Sequence, residues 1–449
     1  MEQSKTKALV NILTGLVAVI LVALPFHEFL TTWLGSNFGH LDVWRAWKEA
    51  LIVLTLPSIL YLIHKTPKLK KWLVSDRLIQ LIAVFSLLTI GLGVWARLTD
   101  RVNNSALADG WIIDLRFFAF LFVVLVLSYF TNFLRKNWYK IIIYPGLVTV
   151  FLGLLQLVLP LDFLRHFGYG PKTIPAYSTV DQNNAYRRIQ STLRGADPFG
   201  AYLILVITGL ALKLKSSKLL RAALIVISLV ALFFTYSRSG YVGVVVSLAV
   251  LFYISWLKPQ WRKAFLTCLV AAVLVGGAVV VGLRHNLTAE DVFFHTSSSS
   301  RSSISSNSER LNALKSSAES VIDHPLGEGP GTAGPASEHN DHPPRIAENF
   351  YIQIGQELGI AGLVLFLSVN VIVAYRLWQK RSDNLSAFLF ATFIGISLVN
   401  MVSHAWADDT LSLLWWGLAG IALSPVILKE EKTQIKNSRE KSKTALRAR

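Results

Sequence analysis

The sequence predicts an all-α membrane protein of about twelve transmembrane helices, with one large extracytoplasmic loop that contains a short amphipathic helix. Three observations carry that prediction. Over 449 residues the chain is 53% hydrophobic and only 16% charged, whereas ordinary soluble domains carry about 25% charged residues. The apolar residues gather into blocks near the roughly 20 residues that a membrane-crossing helix needs. Lysine, arginine and tryptophan mark the ends of those blocks. A soluble globular enzyme is thereby excluded. The single cysteine, Cys268, lies in an apolar block, so neither an intramolecular disulfide nor a thiolate metal cluster can form.

Blocks bounded by charge and turn residues place the spans near 8–26, 49–64, 78–98, 112–134, 141–160, 198–213, 219–236, 239–257, 264–283, 350–375, 384–403 and 410–428. The chain divides into nine spans over 1–283, with a shorter outer loop at 161–197, then a large extracytoplasmic loop at 284–349, three spans over 350–428, and a basic cytoplasmic tail at 429–449. The net charge of +17 would suggest nucleic acid in a soluble protein. Here 28 of the 44 Lys and Arg fall in the two terminal segments and the loops on the same side. Basic loops resist translocation, so both termini are expected in the cytoplasm and much of the charge is topology, not a nucleic-acid ligand. Trp72, Trp95, Trp111, Trp138, Trp256, Trp261 and Trp378 fall at span ends, where an indole prefers the headgroup level. The first span, about 19 apolar residues with no evident cleavage site, reads as a retained anchor rather than a signal peptide.

The outer loop at 284–349 begins with the serine-rich run Thr296–Ser308, read as a linker. A helix capped by Ser308 is expected next, with Leu311, Leu314, Ala318, Val321 and Ile322 on one face against the bundle or the membrane. His324-Pro325 ends it. Gly327-Glu-Gly-Pro-Gly-Thr-Ala-Gly-Pro335 lacks the Lys-Ser/Thr of a phosphate loop, which argues against nucleotide binding.

Candidate chemistry sits on the outer segments. Arg238 occupies the very short hairpin Thr235-Tyr-Ser-Arg-Ser-Gly240, where a guanidinium either snorkels, pairs with a carboxylate or meets an anionic ligand. Arg187, Arg188 and Arg194 precede the sixth span as ligand arginines or interface anchors. Asp114 and Arg116 read as a buried pair, a relay element or span-edge residues. His404, Asp408 and Asp409 form a weak metal-ligand set without a third fixed ligand type. No Asp-x-Asp of the metal-nucleotide kind occurs, so arginines are the expected counter-charge for any diphosphate. The acid-base candidates are His339, His342 and Glu348, the last either a base or a helix cap.

Several motifs resemble the bacterial O-antigen ligase and O-antigen polymerase superfamily, polytopic membrane glycosyltransferases that use undecaprenyl-diphosphate-linked glycan. Glu348-Asn349, nine residues, then Gly359-x-x-Gly362 matches in spacing that family's His-Asn and Gly-x-x-Gly motif. Tyr236-Ser-Arg-Ser-Gly-Tyr-Val-Gly looks like its Ser-Arg-Gly signature, Ser308-Glu-Arg-Leu with His324-Pro-Leu-Gly-Glu-Gly resembles its loop helix and Pro-Leu-Gly-x-Gly, and Gln190-Ser-Thr-Leu-Arg-Gly-Ala-Asp resembles its segment before the sixth span. The departure is Glu348, where the ligases carry their catalytic histidine.

The resemblance implies transfer of a glycan from undecaprenyl diphosphate to an acceptor hydroxyl, on lipid A-core or another surface acceptor, at the outer face of the bacterial cytoplasmic membrane. No cofactor is expected, and the lack of an Asp-x-Asp motif leads to the expectation of a metal-independent reaction. Arg188, Arg194 and Arg238 would hold the diphosphate. Glu348, His339 or His342 would take the acceptor's proton, with Asn349 orienting that hydroxyl. A polymerase joining lipid-linked repeats, a protein O-oligosaccharyltransferase and a lipid-linked glycan transporter are the alternatives.

Overall fold

The computed structural model describes residues 2–180, 183–212, 218–255, 260 and 306–425. The expected ninth span at 264–283, most of the serine-rich run and the basic tail lie outside the described residues. Helix α1 (Glu2–Ala23) passes through a 3-10 turn at Leu24–Phe26 into α2 (His27–Phe38). Pro25 opens that turn, because it lacks the N–H an α-helix interior requires. The short α3 (Leu41–Arg45) and α4 (Trp47–His64) follow, then α5 (Pro67–Ser75), α6 (Arg77–Leu98), α7 (Asn104–Phe130) and α8 (Phe133–Leu155). A two-stranded antiparallel hairpin, β1 (Ser178–Val180) and β2 (Asn183–Arg188), interrupts the outer loop at 161–197, with Ser178 opposite Arg188. Then come α9 (Ala196–Ala211), α10 (Lys218–Thr235), α11 (Arg238–Ser255), α12 (Ser306–Asp323), α13 (Phe350–Gln379), α14 (Asn384–Val399) and α15 (Asp409–Leu423).

Eight helical segments are long and apolar enough to cross a membrane among the described residues, and α9, α14 and α15 are shorter apolar helices. Eleven of the twelve expected spans therefore fall on helices. The three short ones form the buried centre, with every residue of α15 buried. At 1.5 Å rise per residue their 15 or 16 residues reach only about 24 Å, less than the ~30 Å hydrocarbon layer. Protein surrounds them, so they do not need to match the lipid. Phe117 and Phe118 of α7 stack on Trp416, and Trp415 packs edge-on to Trp416 at 5.1 Å between ring centroids.

The large loop is anchored by a break in α13. Gly359 has φ +68, a left-handed backbone inside an otherwise continuous helix. The break releases carbonyls that a helix would fill. Gln356 O accepts from Glu328 N–H at 3.0 Å, Glu357 O accepts from Gly329 N–H at 2.8 Å, and Ile360 N–H donates to Pro325 O at 2.9 Å. A Cβ on Gly359 or Gly327 would strike the backbone of the opposing segment, so Pro325-Leu-Gly-x-Gly and Gly359 dock as one unit. Helix α12 starts at Ser306, earlier than a Ser308 cap would put it. Its predicted apolar face is split: Leu314 and Val321 are half-buried, while Leu311 and Ile322 are 65% and 75% exposed.

The loops sort to two ends. At one, Arg376 pairs with Asp76 at 2.9 Å and Arg135 with Asp383 at 3.0 Å, joining segments that the charge count places on one side. The other set of connections meets at the opposite end.

Candidate functional site

A cavity of about 1630 Å³ opens at that opposite end. Its floor is where the central helices stop: Asp197 and Pro198 at the start of α9, Leu398 and Val399 at the end of α14, and Asp408 and Asp409 at the start of α15 all line it. Residues of α2 to α4, the top of α7, the hairpin, the α10–α11 turn, α12 and the end of the large loop make its walls. Five of the seven sequence candidates, Arg188, Arg194, Arg238, His339 and Glu348, line this one space. It exceeds the ~300–1,000 Å³ usual for small-ligand pockets.

Arg188, Arg194 and Arg238 give the cavity a basic pole. Register in the hairpin fixes Arg188, whose Nε donates to Thr235 O at 2.8 Å and whose terminal nitrogen reaches Asp197 at 2.8 Å. That second bond is the point of attachment to α9. Arg194 is exposed and makes no hydrogen bond or ion pair among the described residues. Arg238 opens α11 and is exposed at the cavity wall. Tyr236, just before it, has φ +52, an outlying conformation for a bulky residue. Arg187 points elsewhere, donating to the carbonyls of Leu159 and Pro160 at 2.7 and 3.2 Å, which makes it a structural clasp.

Glu348 and Asn349 divide the two roles left open for their motif. Asn349 is the cap of α13: its Oδ1 accepts from Ile352 N–H at 3.1 Å and its Nδ2 donates to Met401 O at 2.9 Å. Both ends of that carboxamide are committed to backbone, and Asn349 does not line the cavity, so the expectation that it orients an acceptor is replaced by a structural role. Glu348 is not the cap. It is half-buried in the cavity wall with φ +49, a conformation that costs a side-chain-bearing residue about 1–3 kcal/mol and that clusters at functional sites.

The two loop histidines separate. His339, at the end of a 3-10 turn, lines the cavity and pairs through Nδ1 with Asp109 of α7. Asn103 donates to His339 O at 2.8 Å, tying that turn to α7. His342 is exposed, stands 3.4 Å from Asp100 O and is absent from the cavity wall, so the structure removes it from the candidate site.

Sequence reasoning missed the opposite pole. His27, Glu28, Lys48, Glu49 and Arg116 line the cavity beside Asp409. Lys48 Nζ lies 2.8 Å from Asp409 Oδ2, 3.2 Å from Glu49 Oε2 and 2.8 Å from Arg45 O, and its side chain is 3% exposed. Trp47 donates to His27 Nδ1 at 2.8 Å, and His27 Nε2 lies 3.0 Å from both Asp409 Oδ2 and Lys48 Nζ. Arg116 reaches Glu49 at 3.5 Å, Asp409 at 4.0 Å and the Ala407 carbonyl. It forms no ion pair with Asp114, and the reason is geometric: two residues apart on a helix point about 200° apart. The legible signal was charge abutting apolar blocks, at His27-Glu28 and Lys48-Glu49.

The weak metal-ligand set noted in the sequence is not the one that converges. His27, Glu28 and Asp409 bring ligand atoms within 4.8 Å of one another, not His404 with the two aspartates. The Lys48 ammonium already stands against the same Asp409 oxygen, so a divalent ion there would have to displace it. Burial holds His404 down to about 4, leaving a neutral imidazole whose buried Nε2 makes no hydrogen bond among the described residues. Burial, with the neighbouring Asp409 carboxylate, pushes Asp408 up to about 7.

Fold and site together define a multi-span membrane protein with a large polar cavity at one end of its helices, arginines on one wall and a carboxylate-rich network on the other. Residues 223–367 match the family model described as O-antigen ligase. That stretch is similar to O-antigen ligases and contains the motifs at 236–243, 308–329 and 348–362 that carry the resemblance. It contains Arg238, His339 and Glu348, whereas Arg188, Arg194 and the buried ion network lie outside it. No curated protein matches the chain.

Proposed function

We propose that the protein transfers a glycan from undecaprenyl diphosphate to an acceptor hydroxyl at the outer face of the cytoplasmic membrane, without a metal ion. One observation carries this reading: Arg188, Arg194, Arg238 and Glu348, from four separate segments, converge on a single cavity beside the mouths of apolar helices. Its size suits two substrates. The end bearing the cavity is the outer one, in keeping with the basic loops at the other end.

The acceptor oxygen bonds to the anomeric carbon as that carbon's bond to the phosphate oxygen breaks. Charge grows on the departing diphosphate, so guanidinium groups already in place stabilise the transition state more than the bound donor. Arg194 and Arg238 face that charge, and Arg188, held by Asp197 and Thr235, completes the clamp. Glu348 takes the acceptor's proton. Its strained backbone aims a carboxylate where the resembling ligases place an imidazole, and a carboxylate serves equally as a general base when its surroundings suit. His339 is held by Asp109 at the rim and assists in orienting the acceptor.

The test is transfer by purified protein in nanodiscs, using undecaprenyl-diphosphate-linked glycan. Product formation that survives thorough chelation is expected; loss restored by Mg²⁺ or Mn²⁺ would refute the metal-free reading. Glycan sizes in cells lacking the gene identify the acceptor. Long polymer left on the carrier means a ligase, single repeats on the acceptor mean a polymerase, and unchanged pools refute both.

A further inference from the structure

Away from the cavity, α7 and α13 each bury a carboxyl group beside the same loop. Asp114 and Glu357 are both 0% exposed; Gly110, one helical turn before Asp114 and on the same face, packs on the backbone of Gly331, whose N–H meets Glu357. Glu357 Oε1 accepts from Gly331 N–H at 2.8 Å and its Oε2 from Gln353 Nε2 at 3.3 Å. The Gln353 carboxamide is thereby turned so that its nitrogen is spent on Glu357, and its Oε1, in a residue 1% exposed, accepts no hydrogen bond. Neither oxygen of Asp114 accepts one. The charged groups nearby are already engaged: Arg116 with Glu49 and Asp409, and Glu328 with Arg345.

Three acceptor oxygens without a donor, on one carboxamide and one of two buried carboxyl groups, are costly in a dry interior. A second anion or a neutral apolar group would worsen the imbalance, whereas a small cation answers both the charge and the open lone pairs. We propose that Asp114, Glu357 and Gln353 bind one monovalent cation that is coordinated by oxygen, sodium or hydronium. The site lies directly beneath Gly331, in the loop that docks at the Gly359 break and leads to the cavity wall at Pro335 and Ala336. Cation occupancy would therefore hold that wall to α7 and α13. This inference is independent of the transferase reading, because it concerns binding and stability alone.

Two measurements on the full-length protein test it. Equilibrium binding of ²²Na⁺ should show one competable site per chain, and replacing choline chloride by NaCl at constant ionic strength should raise Tm saturably, by about 2 °C or more at ten times Kd. Asp114→Asn should abolish both, as should Glu357→Gln, which serves if the first variant does not fold. Should hydronium be the ligand, sodium has no effect and wild-type Tm instead rises as pH falls, relative to the foldable variant. Absence of both sodium and differential pH effects overturns the proposal, and a sodium effect retained in Asp114→Asn or Glu357→Gln overturns its assignment to these residues. If neither variant folds, tracer binding by wild type decides, and its absence at all pH values tested overturns the site.

Discussion

Replacing Lys48 by methionine perturbs the buried ion network at its centre. An ammonium offers three donors, and Lys48 spends them on Asp409, Glu49 and the Arg45 carbonyl at 2.8, 3.2 and 2.8 Å. Methionine keeps the length and the apolar stem but removes all three. Asp409 then retains His27 Nε2 at 3.0 Å and a distant Arg116 at 4.0 Å, while Glu49 retains Arg116 at 3.5 Å. Removing one partner of such a buried pair leaves an uncompensated charge, at about 3–5 kcal/mol. Equilibrium unfolding in mixed detergent–SDS micelles, followed by tryptophan fluorescence, reads that loss, and the 13 tryptophans give ample signal. Asp409→Leu in the same background should recover part of it, since both charges are then gone, and the double-mutant cycle should show a coupling of about 1–3 kcal/mol. A Lys48→Met protein within about 1 kcal/mol of wild type, or a coupling near zero, would refute the argument that Lys48 neutralises Asp409.

Four further outcomes follow from the same structure. Arg238→Ala and Arg194→Ala should each lower transfer on the order of 100-fold with folding intact, read as initial rates; wild-type turnover in both would remove the diphosphate clamp. Glu348→Gly should relieve the φ +49 backbone and stabilise the fold by about 1 kcal/mol while abolishing transfer, a combination that thermal unfolding and turnover measure side by side. Gly359→Ala places a Cβ against the Pro325–Gly327 backbone at φ +68, so a drop of about 3 kcal/mol or more and detachment of the loop to protease are expected. Asp408 is raised to about 7 in the folded state, so its contribution to stability is complete below pH 4 and lost as pH rises through 7, whereas His404, lowered to about 4, contributes above pH 6.5 and loses that contribution as pH falls through 4. Asp408→Asn keeps the helix cap and should remove the first trend, so its stability relative to wild type rises from pH 4 to 7; a difference that does not change with pH would contradict it.

The helices were legible because lipid imposes one rule on every span, and that rule is written in local composition. What escaped is set by geometry between segments. Asp114 and Arg116 look like a pair in sequence, yet the helix turns them about 200° apart, Arg116 towards Glu49 and Asp114 onto the face that packs on the Gly331 backbone through Gly110. His27 and Lys48 abut apolar blocks in the sequence and were not read as site residues, because only the approach of α15 gives them Asp409. The hairpin at 178–188 was hidden because two short polar strands carry no hydrophobic alternation to read. Arg188 was legible as a candidate, but its distinction from Arg187 depends on strand register, which sends one guanidinium to Asp197 and the other to the Leu159 carbonyl.

The spacing between Glu348 and Gly359 acquires a physical meaning from the break in α13. Gly359 is required by backbone contact with Pro325 to Gly327, and Asn349 is required to cap the helix that begins one residue later. The nine intervening residues are two and a half turns of helix that fix the distance between these fixtures. Together the two fixtures hold the residue before Asn349 in the cavity wall, with its backbone in a left-handed conformation that the surrounding bonds impose. The frame therefore specifies a position and leaves the side chain there free to be any group that accepts a proton. In the proposed reading, the carboxylate at position 348, where the resembling ligases carry histidine, takes the base position within this frame, and the frame itself depends on Gly359 and Asn349.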